Sequence, residues 1–413
     1  MQYNIKNKLY ILTNILIIIY GVSLFIDWKV SRAIAEILII LWIITGDYKE
    51  KFRKIINNKI TISFLLFLLL FITGLLWTED MRAGYHIIKY PMLYLTVPVI
   101  ISMYRKEYIK WYKNVLIGTL VFTGLLTLLI QIGMLDIIYN PDEAPFINRV
   151  YLGIMLVFAY GYFISFINLK LNINNIILYI LSSLMVYSII ISGSRMALIN
   201  IVIITIFVIL YKNKFTIKTL FMSILLLISM VYISYTYSNT VNHKVKQTIN
   251  SINKFDFQEQ IINKNHNLRT SLNCRFEFWY YAYKIGNKHP ILGAGTGDGI
   301  LELERLIGEE ESNLLFRRCL GNGSGQFNPH NLFMFMYMQF GIVGLFLLFY
   351  MLYIHLSIAI KSKYLPFMIL VIVTITSMFS LSLLFTSMYF IPFYAFSMIT
   401  MYLVSEENKK INK

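Results

Sequence analysis

Three residues in this chain could do chemistry together. His330 lies in Asn328–Tyr350, NPHNLFMFMYMQFGIVGLFLLFY, after Pro329 and at the mouth of an apolar run long enough to begin a membrane span. A histidine at a water interface, with an ordinary pKa of about 6.5, suits proton transfer. Arg195 ends the Ser192-Gly193-Ser194-Arg195 turn, which breaks two apolar runs. Arg275 opens an aromatic stretch in which Phe276, Trp279, Tyr280 and Tyr283 recur at helical spacing. A guanidinium at membrane depth is costly and usually paired or functional, and its planar fork suits phosphate oxygens. Two such groups could hold a diphosphate without a metal, while a nearby imidazole takes the proton of an attacking hydroxyl. Each residue also has a plainer reading. His330 could be an interfacial polar residue, Arg195 could snorkel to headgroups, and Arg275 could pair with Glu277.

The elements that must position these residues are membrane helices. The chain has 413 residues, 57% hydrophobic and 14% charged, with a mean hydropathy of +0.64. That excludes an ordinary soluble domain, and repeated long apolar runs mean helices rather than a barrel. The runs lie near 9–26, 30–46, 60–76, 85–103, 112–132, 149–168, 175–193, 196–211, 217–234, 331–355, 366–384 and 386–404. The expected fold is therefore an all-α integral membrane protein, a polytopic bundle of about 12 transmembrane helices. Pro91 and Pro98 interrupt the fourth run and Pro392 the twelfth. Gly341 and Gly344 mark a place where a neighbouring helix could approach the tenth closely.

The net charge of +16 points here to orientation and anionic lipid, not to nucleic acid, because the bases sit in short loops between apolar runs. Alternate loops carry them, from Lys6 and Lys8 through Lys49–Lys54 to Lys409, Lys410 and Lys413. The positive-inside rule then makes both termini cytoplasmic and places 27–29, 77–84, 133–148, the Ser192–Arg195 turn and 235–330 on the opposite side. Met1 to Lys8 leads into a full-length span without a small-residue cleavage site, so no cleavable signal is expected. The chain is expected to be one membrane domain, 1–413, with 235–330 inserted between the ninth and tenth spans as one large extracytoplasmic helical loop, a cap.

Both cysteines, Cys274 and Cys319, fall in that segment. A disulfide and two free thiols are both open readings. There is no CxxC or Cys/His zinc spacing, no DxD pair and no P-loop, so neither a metal nor a cofactor is expected. The glycine-rich Gly293–Gly299, GAGTGDG, lacks the strand and the βαβ context of a dinucleotide site.

Ile191–Leu198 (ISGSRMAL), Arg275–Gly299 (RFEFWYYAYKIGNKHPILGAGTGDG) and His330–Leu345 (HNLFMFMYMQFGIVGL) together resemble the motif series of the bacterial O-antigen ligase and O-antigen polymerase superfamily. That series runs SR-G-A-L, then R-x-x-x-W…HP-x-x-G-x-G, then HN-x-x-L…G-x-x-G-L. Asn148–Leu156 (NRVYLGIML) is similar to the stretch leading into the family's middle spans. The likeness covers most of the chain in layout, and its informative motifs lie between about 191 and 345. Met196 departs from the Ala or Gly that family members often carry after the arginine.

The resemblance implies a glycan moved from undecaprenyl diphosphate to an acceptor on the outer face of the bacterial inner membrane, without a metal and with inversion at the sugar. The acceptor is lipid A core for a ligase and a growing carrier-linked glycan for a polymerase. Membrane lipids are the other expected partners. Arg195 and Arg275 would hold the donor diphosphate, and His330 would serve the acceptor hydroxyl. Trp279, Asn331, Arg82 in the 77–84 loop and Arg149 at the head of NRVYLGIML are further candidate substrate-binding residues. Trp279, Tyr280 and Tyr283 suit either sugar stacking or anchoring at the interface, and anchoring is preferred. A transporter is the competing class. It would be expected to carry charges near the bilayer midplane and repeat symmetry, whereas here Glu36 is the nearest approach to a midspan acid.

Overall fold

The computed structural model describes residues 2–131, 133–135, 143–144, 147–168, 172–212, 271–310 and 329–411, with a few isolated residues between 236 and 253. The run expected to span at 217–234, most of the 235–330 cap, Cys319 and the Gly321–Gly325 turn lie outside the described residues.

The first part of the chain forms α1 (Gln2–Ser23), α2 (Trp28–Ile44), α3 (Tyr48–Ile56), α4 (Lys59–Gly74), α5 (Met81–Ile88), α6 (Thr96–Met103) and α7 (Ile109–Gln131). A two-stranded antiparallel ladder, β1 (Glu143–Ala144) with β2 (Ile147–Asn148), leads into α8 (Arg149–Phe166), α9 (Ile173–Ser192) and α10 (Arg195–Lys212). Then come α11 (Ser271–Lys288), α12 (Asp298–Glu310), α13 (Leu332–Ser362), α14 (Leu365–Met378), α15 (Leu383–Thr386) and α16 (Phe390–Ile411).

Among the described residues, 6 helices are long and apolar enough to cross a membrane, or up to 7 if the bent pair Met81–Ile88 and Pro91–Met103 counts as one span. The sequence led to an expectation of about 12. Among the described residues the apolar runs do fall on helices, but several of those helices are short. Val150–Phe166 and Leu365–Met378 are apolar helices below full spanning length. The fourth run bends by 42°, at the place where Pro91 withholds a backbone donor; Pro98 stands in the first turn of α6. Pro392 breaks nothing, because α16 begins at Phe390 and its proline stands in the first turn, where no intrahelical partner is owed.

α13 packs against α4, α11 and α14, and α8 packs against α9, α10 and α14. α14 thus touches both groups of helices. Inside, His355 is fully buried, with Nδ1 2.8 Å from the Tyr394 hydroxyl and Nε2 3.0 Å from the Ser63 hydroxyl. This joins α4, α13 and α16 by polar contacts, which hold firmly where water does not compete.

The break in α13 positions the site. Gly341 has φ 57 and ψ −148, so the helix is two segments joined by one non-helical residue. A left-handed φ of this kind is open essentially to glycine alone. The segment after α11 enters the break. Ile342 N donates to Pro290 O at 2.9 Å and Val343 N to Ile291 O at 3.2 Å, while Ala294 N donates to Met338 O at 3.0 Å and Gly295 N to Gln339 O at 2.9 Å. Backbone groups freed by the break are therefore satisfied by His289–Gly295 instead of by the helix itself. A Cβ on Gly293 would stand 2.2 Å from Phe340 N, and one on Gly341 would stand 2.6 Å from Pro290 O. The close approach anticipated at Gly341 is real, but the visitor is a loop and not a helix.

The same loop reaches the end of α4. Thr296 Oγ1 donates to Phe71 O at 2.8 Å, Thr78 Oγ1 donates to Thr296 O at 3.2 Å, and Gly297 N donates to the Gln339 side-chain oxygen at 2.8 Å. Asp298 accepts from the backbone N–H groups of Glu79 and Asp80. GAGTGDG is thus a clasp between α4, α5 and α13, and its glycines serve backbone approach.

Candidate functional site

Arg195 is placed by a turn. α9 ends at Gly193, whose φ of 62 is left-handed, and Ser194 Oγ accepts from Ala197 N at 3.4 Å to start α10. Gly153 of α8 lets the turn come close, since a Cβ there would meet Ala197, Ser192 and Ser194, each at 3.0 Å. The sequence stretch NRVYLG therefore packs on SGSRMA. Arg195 heads an 18-residue helix, so its guanidinium stands with the positive end of the helix dipole, an arrangement that favours an anion.

Arg275 is half-buried in the first turns of α11. Burial lowers its pKa first, and the charge of Arg195 lowers it further. The two arginines are therefore within each other's electrostatic reach, although 80 residues separate them in the chain.

His330 has φ 49, a left-handed backbone at a residue other than glycine. Such a conformation costs roughly 1–3 kcal/mol and persists only where its surroundings impose it. The residues on either side are held. Pro329 O accepts from Trp279 Nε1 at 2.6 Å. Asn331 caps α13, its Oδ1 accepting from Phe333 N at 2.9 Å and Met334 N at 3.1 Å, while its Nδ2 donates to Phe379 O at 3.2 Å. Burial, and after it the Arg275 charge, push the His330 imidazole down to about 4. The imidazole is neutral across the neutral pH range and shares its site with a guanidinium.

The structure thus brings Arg195, Arg275 and His330 together through two electrostatic links. It gives Trp279 and Asn331, both expected as candidate substrate ligands, positioning contacts on either side of His330. Asn331 has a sequence signal that fits this, an Asn directly before an apolar run. Tyr283 stacks on Tyr337 of α13, with ring centroids 6.3 Å apart at 28°, so part of the aromatic face of α11 docks on protein. His289 is exposed beside the clasp. Arg149 is the first residue of α8, and its side chain lies outside the described residues. Arg82 is not in this cluster. It is exposed on α5, where it lines a separate cavity of about 530 Å³ with Tyr85, His86 and Glu304. Tyr85 and Glu304 escaped the sequence reading because nothing in their local pattern links them.

A bundle of apolar helices, with an arginine pair and a half-buried histidine gathered beside α13, defines an all-α membrane protein. The O-Antigen ligase family model matches residues 180–349, a stretch containing Arg195, Arg275, His330, the clasp and the break in α13. That stretch is similar to the O-antigen ligase and polymerase superfamily, whose members are enzymes. Arg82 and Arg149 lie outside the matched stretch. No curated protein matches the chain.

Proposed function

We propose that the protein transfers a glycan from undecaprenyl diphosphate to a hydroxyl of lipid A core on the periplasmic face of the inner membrane. The observation that carries this is the electrostatic chain from Arg195 to Arg275 to His330. Two guanidiniums within electrostatic reach of each other favour an anion between them, and a diphosphate supplies the charge and the oxygens for bidentate contacts. The acceptor oxygen attacks the anomeric carbon as the bond from that carbon to the diphosphate breaks, which inverts the sugar. The acceptor proton passes to a ring nitrogen of His330, and the departing carrier diphosphate remains on the arginines. Fixed guanidiniums stabilise the charge that develops on the leaving group without having to reorganise.

An imidazole at about 4 is a weak base in the absence of donor. A bound diphosphate would offset the Arg275 charge and raise it, so that the base gains strength when there is a proton to accept. The expected sidedness follows from the positive-inside pattern, with both termini cytoplasmic and 235–330 a periplasmic cap. Cys274 is disulfide-bonded, which suits an oxidising compartment. Transfer to a growing carrier-linked glycan, a polymerase, would use the same three residues. The deciding experiment is gene deletion followed by gel analysis of the surface glycan. Loss of all long chains from the core indicates a ligase, and a single repeat left on the core indicates a polymerase. An unaltered surface glycan would overturn both.

A further inference from the structure

The cavity between α5 and α12 stands outside the Arg195–Arg275–His330 cluster, and its lining is chemically distinct. It measures about 530 Å³, within the size range of ordinary ligand sites. Ile87 and Leu301 give it apolar surface, and Arg82, Tyr85, His86 and Glu304 give it polar groups. Tyr85 is 61% exposed at its edge, which leaves a ring face available for stacking. Both signs of charge face the space. Asp80, also in the lining, turns one carboxylate oxygen to the Arg82 and Ala83 N–H groups. The Glu304 carboxyl is raised above its ordinary value by burial.

A hydrogen bond ties the cavity wall to α13. Gly297 contributes to its wall and is hydrogen-bonded to Gln339 at 2.8 Å. Gln339 stands seven residues beyond Leu332 in the unbroken first segment of α13, roughly 10 Å along its axis. The cavity therefore opens at the same end of α13 as His330, held by the clasp.

We propose that this cavity is a saccharide subsite that takes a sugar chain attached to one of the two substrates. Two carboxyl groups in the wall disfavour an anion, which separates it from the diphosphate cluster. A polyol suits it. Hydroxyls donate to carboxylates and accept from Arg82 and His86, while the C–H face of a sugar ring lies on Tyr85 and the aliphatic side chains. The inference rests on the proposed transfer only for the identity of the sugar chain, since saccharide binding is measured without turnover.

The test uses the full-length protein in nanodiscs. The probe is the lipid-free oligosaccharide released by mild acid from the surface glycan of the cells that make the protein. Saturation-transfer NMR should show binding to the wild type, weakened at least tenfold in Tyr85→Ala and Glu304→Gln and retained in His330→Asn. Arg82→Ala, a change at an exposed position, should weaken binding with an unchanged melting temperature. Inorganic pyrophosphate should not displace the probe. In transfer assays the same variants should raise one KM, that of the donor if its chain occupies the cavity or that of the acceptor if its chain does, with kcat within about twofold. Wild-type affinity in all three cavity variants, or displacement by pyrophosphate, overturns the subsite. Undiminished turnover in His330→Asn would overturn the proposed chemistry instead and leave the saccharide result standing.

Discussion

Trp279 Nε1 donates to the carbonyl of Pro329 across 2.6 Å, joining residues 50 apart in the chain. One belongs to the arginine–tryptophan motif and the other directly precedes His330. The spacing of Arg275 and Trp279 on one helix therefore has a physical reason. The first residue stands beside the imidazole as a charge, and the second fixes the backbone from which the imidazole projects. Trp279→Phe keeps the ring and removes the donor. It should cost about 0.5–1.5 kcal/mol of stability and lower kcat more than it raises KM. Thermal unfolding and transfer kinetics check this, and a change confined to KM would make Trp279 a substrate ligand instead.

Gly293→Ala and Gly341→Ala should both be severely destabilising, because each Cβ would enter backbone of the opposing segment at 2.6 Å or less. The left-handed φ at each adds roughly 1–3 kcal/mol of strain. Gly118→Ala is the control, since a Cβ there meets nothing within 4 Å, and it should be neutral or slightly stabilising. Melting temperatures in detergent separate the three. Equal behaviour would mean that the clasp does not secure α13.

Arg195→Lys and Arg275→Lys retain charge but lose the planar fork. Each should reduce transfer by something on the order of 10²-fold, with weaker donor binding measured directly. Near-normal transfer in both variants would remove the diphosphate role.

The pH behaviour follows from the depressed imidazole. The folded protein holds His330 at about 4, below its ordinary value of about 6.5 in an unfolded chain. Between those values the unfolded chain binds a proton that the folded one does not. Stability is thus fully present above the unfolded value and declines as pH falls through this window. His330→Asn, which tolerates the left-handed backbone, should flatten that part of the melting-temperature curve. In kinetics, the acidic limb of kcat should lie at higher pH than that of kcat/KM, because bound diphosphate raises the base. Coincident limbs would mean that donor binding leaves the imidazole unchanged.

Much of the site was legible in the sequence because its residues are chemically unusual where they stand. An arginine between two apolar runs, and a histidine after a proline at the head of another, are costly unless used. The helical class was legible from the apolar runs for the same reason. What lay beyond reach depends on pairings between distant segments. The left-handed φ of His330 is imposed jointly by Trp279, by the Asn331 cap and by the fold, and nothing in the sequence Pro-His-Asn requires it. The insertion of His289–Gly295 into the break at Gly341 joins two glycine motifs that read as separate features. Span number is harder to read, because an apolar run such as 366–384 measures burial as well as membrane depth, and α14 is buried along nearly its whole length.

The account turns on His330 as the base. The most direct measurement uses purified protein with lipid-linked donor and acceptor, recording transfer and donor binding separately for His330→Asn and for His289→Ala as the nearby control. Transfer by His330→Asn should fall by about 10²–10⁴-fold with donor binding retained, and His289→Ala should be mild in both. Wild-type turnover in His330→Asn would contradict the account and leave the histidine as an interfacial residue without chemistry.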